Sequence, residues 1–484
     1  MKWKAKMAAA FVGIALLAGA GGVFAGINLQ EVPVSGDGVG FSSAETADVG
    51  IEKIEKVYEL IQENYMEEID EEKLINGALS GMVEELNDPH SVYMEEQSAE
   101  HFNQSLESSF EGIGAEVSMV DGVVTIVSPF RDSPAEKAGI QPNDRVLEVD
   151  GESTEGATLQ ETVAKIRGEK GTTVTLTIQR QGASTPFHVE VVRDEIPVET
   201  VYSKMFTEDG QKIGYIEITS FSEDTASEFE EQLKTLEEDG MEGLIIDVRG
   251  NPGGFLNSVE DIGDLVIPGG ENIVQIQDPD GNVVQSVSTL KEKKPYPIVG
   301  VIDRGSVSAS EILAAALKEA GNYDLVGETT YGKGTVQQAL DLGDGSELKL
   351  SMFKWLTPDG HWINEEGVEP TVEVMQPDYF YSPVLSLEEE ETLSEGSYGE
   401  QVAVAQNILE GLGYSPGQNE GLFDVQTRQA VEDFQAKTDG LAVTGAIDHE
   451  TATSLNQALL DLIRSEENDR QLKEALNLIQ EQLS

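Results

Sequence analysis

Residues 298–311 read Ile298-Val299-Gly300-Val301-Ile302-Asp303-Arg304-Gly305-Ser306-Val307-Ser308-Ala309-Ser310-Glu311, and a helical run continues to Glu319. Five consecutive apolar or small residues, mostly β-branched, predict a buried strand. A turn rich in glycine and serine follows, then a helix from Ala309 to Glu319. Strand, turn and helix in this order form the unit of an α/β sheet, whose working residues sit where strands give way to helices. The unit recurs upstream. Ile213 to Ile218 predicts a strand and Thr225 to Glu238 an amphipathic helix. Leu244-Ile245-Ile246-Asp247-Val248 predicts a second buried strand, leading into Arg249-Gly250-Asn251-Pro252-Gly253-Gly254. Alternation of this kind runs from Pro197 to Val374.

Lys333 lies 25 positions beyond Ser308, alone between Gly332 and Gly334, and Gln337 follows four residues later. The chain has no cysteine, which excludes a thiolate nucleophile, a disulfide and a thiolate metal site. The five histidines, His90, His101, His188, His361 and His449, form no metal-ligand pair, so neither a metal nor another cofactor is expected. A serine activated by a lysine is the economical catalytic reading. Lysine accepts a proton near neutral pH only if desolvation or neighbouring positive charge lowers its pKa. Gln337 can hydrogen-bond the amine as an orienting third member. The backbone N–H groups of Gly253, Gly254 and Ala309 are candidate donors to a developing oxyanion. Other readings stand beside this one. Ser306, Ser308 and Ser310 can each cap the helix that follows. His361 is a rival base. Gly327 to Lys333 spells most of a phosphate-binding loop, but Gly334 stands where a Ser or Thr is needed, so no nucleotide site is expected.

The 484 residues carry 31 basic and 90 acidic side chains, a net charge of -59, and 39% are hydrophobic. That is enough apolar content for several cores, and the charge disfavours a nucleic-acid partner. Lys2, Lys4 and Lys6 precede an apolar run from Met7 to Ile27, long enough for a bilayer span. Val23-Phe24-Ala25 also resembles a signal-peptidase site. Residues 1–27 are therefore expected to be an uncleaved membrane anchor or else a signal peptide, with the rest outside the cytoplasm. Residues 28–44 read as a linker and 45–105 as helical, with Ile51, Ile54, Val57, Tyr58 and Ile61 at helical steps. Residues 106–193 are β-rich with one helix near 158–166. Residues 194–380 are the α/β core, 381–395 an acidic linker, 396–460 a compact helical module, and 461–484 a helix that either oligomerises or docks.

Taken together, these residues resemble the carboxy-terminal processing peptidases, or tail-specific proteases. The match lies in Asp247 to Gly254, Ser306 to Ile312 and Gly332 to Gln338, and extends over about residues 45–375. Val307 departs from the family's usual alanine. The resemblance implies that Ser308 is the nucleophile, Lys333 the base and Gln337 the third member. It also implies a PDZ domain at 106–193, in which Gly112-Ile113-Gly114-Ala115 offers N–H groups to the carboxylate of a protein C-terminus. Arg167, at the end of that module's helix, is either a partner for the carboxylate or a domain latch. The 396–460 module resembles a peptidoglycan-binding domain through Gly399, Gln406, Phe423, Thr427 and Phe434-Gln435. The implied architecture is multidomain α/β and α+β: N-terminal helices, a β-sandwich-like PDZ module, an α/β Ser/Lys protease core and a small helical domain. The implied function is an exported serine endopeptidase with protein C-termini, peptidoglycan, the membrane and a second copy of itself as partners. A non-catalytic wall scaffold that binds protein tails is the alternative.

Overall fold

The computed structural model describes residues 44–484 except 107, 121, 131, 181, 182, 184 and 389. The expected anchor or signal segment, and the linker up to residue 43, lie outside the described residues. Among the described residues no helix is long and apolar enough to cross a membrane.

The α/β core is built on a six-stranded sheet in the order Val201–Glu208, Gln211–Ile218, Gly243–Asp247, Ile298–Ile302, Asp324–Gly327 and Val372–Glu373. The first pair is antiparallel and the remaining pairs are parallel. Continuous apolar strands mean that both sheet faces are covered. Leu244 and Ile246 point to one face, where they meet Phe229, Leu233, Val259, Ile262, Ile312 and Leu313 of three helices. Ile245, Val299 and Val301 point to the other face. The cover there is the last helix of the chain, Arg470–Leu483, through Leu472, Ala475 and Ile479. A Cβ on Gly243 would stand 2.4 Å from Ile479 Cγ2, so the helix rests directly on the sheet backbone. The terminal helix is thus a docked layer of the core, and the helical module before it is held by the core at both ends.

Three further departures from the sequence reading are physical. Residues 45–105 are not helical throughout. Helices Ala44–Asn64 and Glu71–Glu84 are followed by a short strand, Val92–Met94, which pairs with Glu347–Leu356, and then by helix Glu96–Leu106. Residues 381–395 form no free linker, because Leu385, Leu387 and Leu393 are buried in the core of the C-terminal module. The helix that begins at His449 runs to Arg464, beyond the expected end of that module. The β-rich module has its own core around Ile126, Val146, Leu176 and Ile178, with helix Leu159–Ile166 packed on it through Ile166.

Candidate active site

The serine turn joins strand Ile298–Ile302 to helix Ala309–Ala315. Its three serines have different fates. Ser306 Oγ donates to Val248 O at 2.8 Å, and Ser310 Oγ donates to Asn251 O at 2.9 Å. Both tie the serine turn to the neighbouring glycine loop. Ser308 Oγ is fully buried and makes no hydrogen bond in this conformation. Ser308 also holds φ +59° and ψ -110°, which a residue with a Cβ rarely adopts. Strain of about 1–3 kcal/mol at such a residue persists only where its surroundings enforce it, as at nucleophile elbows between strand and helix.

The surroundings are specific. Glu311 is buried, and its carboxylate accepts Ser308 N at 2.8 Å and Lys333 N at 2.9 Å on one oxygen. The other oxygen accepts Gly332 N and Thr330 Oγ1, each at 2.6 Å. One carboxylate therefore binds the serine turn to the lysine loop. Tyr331 N adds a bond to Ser306 O at 3.2 Å. Trp355 and Trp362 fix the far side of the loop by donating to Lys333 O and Gly334 O. The Ser308-x-x-Glu311 spacing of a capping box was the available sequence signal for Glu311, which the motif reading left without a role.

Lys333 is buried, and desolvation followed by the neighbouring Lys349 lowers its amine to about 7, against the pull of Glu311 and Asp88. This meets the condition set for a lysine base. Gln337 is fully buried. Its amide nitrogen donates to Thr335 Oγ1 and Ser351 Oγ, each at 2.9 Å, while its oxygen has no hydrogen-bond partner. The rival His361 is exposed and lies 3.5 Å from Glu319. The histidine that senses Lys333 is instead His90, whose ring is pushed down by burial and then by that lysine. Among the described residues no acidic or histidine cluster could hold a metal ion.

Gly253 packs against the nucleophile: a Cβ on it would stand 2.8 Å from Val307 O and 3.0 Å from Ser308 Cβ. Its N–H already donates to Asn251 Oδ1 at 2.8 Å. Gly254, at φ +146°, runs beside Phe221, and a Cβ there would collide with Phe221 O. Ala309 is the first residue of the helix after Ser308. Arg249, at the mouth of the same glycine loop, is gripped by Asp247 at 2.6 Å and by Asp469, the N-cap of the terminal helix, at 2.8 Å.

In the β-rich module, Gly112 ends a strand paired with Asp194–Pro197, and Ala115 opens the next strand. Between them Ile113 is buried, and Gly114, at φ +71°, sits against Ser133. Arg167 caps the module's helix, stacks over Phe110 and donates to Gln104 Oε1 at 2.8 Å. It therefore joins this module to helix Glu96–Leu106.

The sequence relatives and the matching family model place the chain among the serine-type peptidases. More narrowly, it belongs to peptidase family S41, in the group of carboxy-terminal processing proteases that carry a PDZ domain: the family model matches residues 212–374 and a PDZ model residues 125–180. Residues 16–98 match the N-terminal domain model of the activating protease CtpB, and 398–455 match a putative peptidoglycan-binding domain. The carboxy-terminal processing protease CtpB of Bacillus subtilis (strain 168) is 48% identical, over 97% of this chain and 98% of its own length. CtpA of the same organism is 41% identical, over 92% and 93%. The solved photosystem II D1 C-terminal processing protease is 27% identical, with a TM-score of 0.42, over 67% of this chain and 86% of its own. The peptidoglycan-binding match is consistent with a cell-wall-associated location.

Proposed function

We propose that the chain is an exported endopeptidase that takes nonpolar protein C-termini on its PDZ domain and cleaves them through Ser308, Lys333 and Gln337. The observation that carries this reading is the contrast among the serines. Ser306 and Ser310 are spent on backbone carbonyls, whereas Ser308 is the one of these three whose hydroxyl has no partner, in a strained elbow that Glu311 ties to a lysine near neutrality.

In this scheme the neutral Lys333 amine takes the Ser308 proton as Oγ attacks the peptide carbonyl. The oxyanion rests on the Ala309 and Gly254 amides. Gly253 joins them only by exchanging its bond to Asn251. The Lys333 ammonium then protonates the leaving amine, and water, with the same base, releases the acyl group. Gly112, Ile113, Gly114 and Ala115 supply the seat for the tail carboxylate.

Because Ser308 is fully buried, substrate entry requires movement, and in this scheme the PDZ domain governs it. Arg167 holds Gln104 of helix Glu96–Leu106, and Phe102 of that helix packs with Met94 and Ala99 against Phe255, next to Gly254. Deleting residues 106–193 should change the rate at which a tailed substrate is cleaved and abolish its preference for the tail. An unchanged rate and preference would refute the gating role.

The N-terminal helix exposes Ile51, Ile54, Val57 and Leu60 at helical spacing, which supports a dimer seam, and the basic flank with its apolar run supports a membrane anchor. A chain starting at Glu45 should stay soluble where the full chain sediments with membranes. In sedimentation velocity it should run as a dimer, and Ile54→Asp should split it. A soluble full chain would overturn the anchor, and a monomeric starting species would overturn the dimer.

A further inference from the structure

The bonds around Gln337 continue outward to a segment that the catalytic reading does not use. Gln337 Nε2 donates to Ser351 Oγ at 2.9 Å. Ser351 N donates to Ser91 Oγ at 3.0 Å, and Ser91 Oγ donates to Asp88 Oδ2 at 2.6 Å. His90 N donates to the other Asp88 oxygen at 3.1 Å. Burial alone would raise the Asp88 carboxyl, but the Ser91 hydroxyl, with Ser351 beside it and the His90 N–H, holds it below the usual range. The strand pairing of Val92–Met94 with Glu347–Leu356 locks this segment in register.

A hydroxyl both donates and accepts, so a chain of hydroxyls alone has no direction. An ionised carboxylate only accepts. The negative charge of Asp88 draws the Ser351 hydroxyl proton outward, which leaves the lone pairs of that oxygen to the Gln337 amide. The amide must then present nitrogen to Ser351 and keep its oxygen for the other side. That oxygen is the buried acceptor without a partner.

We propose that Asp88, Ser91 and Ser351 are positioning residues that set the polarity of Gln337, so that it offers its carbonyl oxygen and not its nitrogen to Lys333. The proposal rests on the Ser308, Lys333 and Gln337 reading above. It gives the N-terminal segment 88–91 a part in a site whose serine, lysine and glutamine all lie beyond residue 300. The charged or titratable groups that bear on Lys333 are Lys349, Glu311, Asp88 and His90.

The test compares Asp88→Asn, Ser351→Ala and Ser351→Thr with the parent enzyme on a tailed peptide, with Ser308→Ala alongside. Asp88→Asn keeps the shape but can donate, so kcat should fall about tenfold or more at nearly constant KM. The acid limb of kcat/KM should move to lower pH, because the Asp88 charge and the Gln337 oxygen both favour the Lys333 ammonium. Ser351→Ala should lower kcat in the same way, and Ser351→Thr should restore it. A merely structural role would cost heat stability without moving the limb. Folded Asp88→Asn and Ser351→Ala enzymes with parental kcat and an unmoved limb would overturn the proposal. If Asp88→Asn does not fold, Ser351→Ala against Ser351→Thr decides by the same criteria. Activity surviving in Ser308→Ala would instead show that the dyad reading itself is at fault.

Discussion

Replacing Ser308 with alanine should reduce peptide hydrolysis by on the order of a million-fold, with folding intact, the size of loss that follows removal of a serine nucleophile. Ser306→Ala and Ser310→Ala should behave otherwise. Each removes one buried bond to a backbone carbonyl, worth about 1–3 kcal/mol of stability, and should leave kcat within about tenfold. Lys333→Met should match Ser308→Ala in activity loss but not in stability. The Lys333 amine sits at about 7, below its ordinary value. The unfolded chain therefore binds more protons at this position, and the fold carries the full cost of the charged lysine below pH 7. That cost is relieved as pH rises from the folded value toward about 10.4. At pH 7 the cost is on the order of a few kcal/mol, so Lys333→Met should melt at a higher temperature than the parent while being inactive. The parent's kcat/KM should climb through an acid limb near pH 7, where an exposed lysine would place it above 10. A limb near 10, or a less stable Lys333→Met protein, would contradict a desolvated base. The pairing of lost activity with gained stability is what a strained functional group predicts.

How far the sequence could be read depended on whether a feature is local. Strands Gly243–Asp247 and Ile298–Ile302 were legible because burial on both faces writes an unbroken apolar run. The apolar stripe of the terminal helix was equally legible, but its partner was not. Leu472 and Ile479 meet strands far earlier in the chain, and Asp469 meets Arg249 across 220 positions. Strand Val92–Met94 was hidden because three residues carry no periodicity, and its pairing with Lys349 is set by the hairpin it joins. At the site, Ser308 and Lys333 were visible as types and spacing. What separates Ser308 from Ser306 and Ser310 is which hydroxyl finds an acceptor, and that depends on Val248 and Asn251 of another loop. His361 attracted attention because it shares the core's stretch of sequence, whereas His90 reaches Lys333 from the N-terminal region. Glu311 was the chief omission, and its consequences are large.

Glu311→Gln should lower kcat by roughly a hundredfold or more, and the plateau above the acid limb shows why. Two explanations of the buried carboxylate share a downward shift of that limb but differ in what they forecast for the plateau. If Glu311 mattered through its charge alone, removing it would take away a group that favours the Lys333 ammonium. The base would then be neutral at lower pH, and activity below pH 7 would rise. The geometry argues instead for position. The two carboxylate oxygens accept from Ser308 N, Lys333 N, Gly332 N and Thr330 Oγ1 at 2.6–2.9 Å, and a carboxylate is the one side chain that accepts on both ends. An amide supplies one acceptor and turns a donor toward two N–H groups or toward one N–H and a hydroxyl. Each buried donor left unmatched costs about 1–3 kcal/mol. The strained turn at Ser308 and the lysine loop would relax by separating, since this carboxylate is what binds both. A shift of about 1 Å between nucleophile and base can cost two orders of magnitude in rate. The acid limb should therefore move down, as charge removal dictates, while kcat on its plateau falls. Glu311→Asp, one methylene shorter, keeps both acceptors and should lose less. Steady-state kinetics across pH 5 to 9, with thermal melts of each variant, separate the two accounts. A Glu311→Gln enzyme whose plateau kcat stays within twofold of the parent would reduce Glu311 to a charge and remove it from the positioning of the dyad.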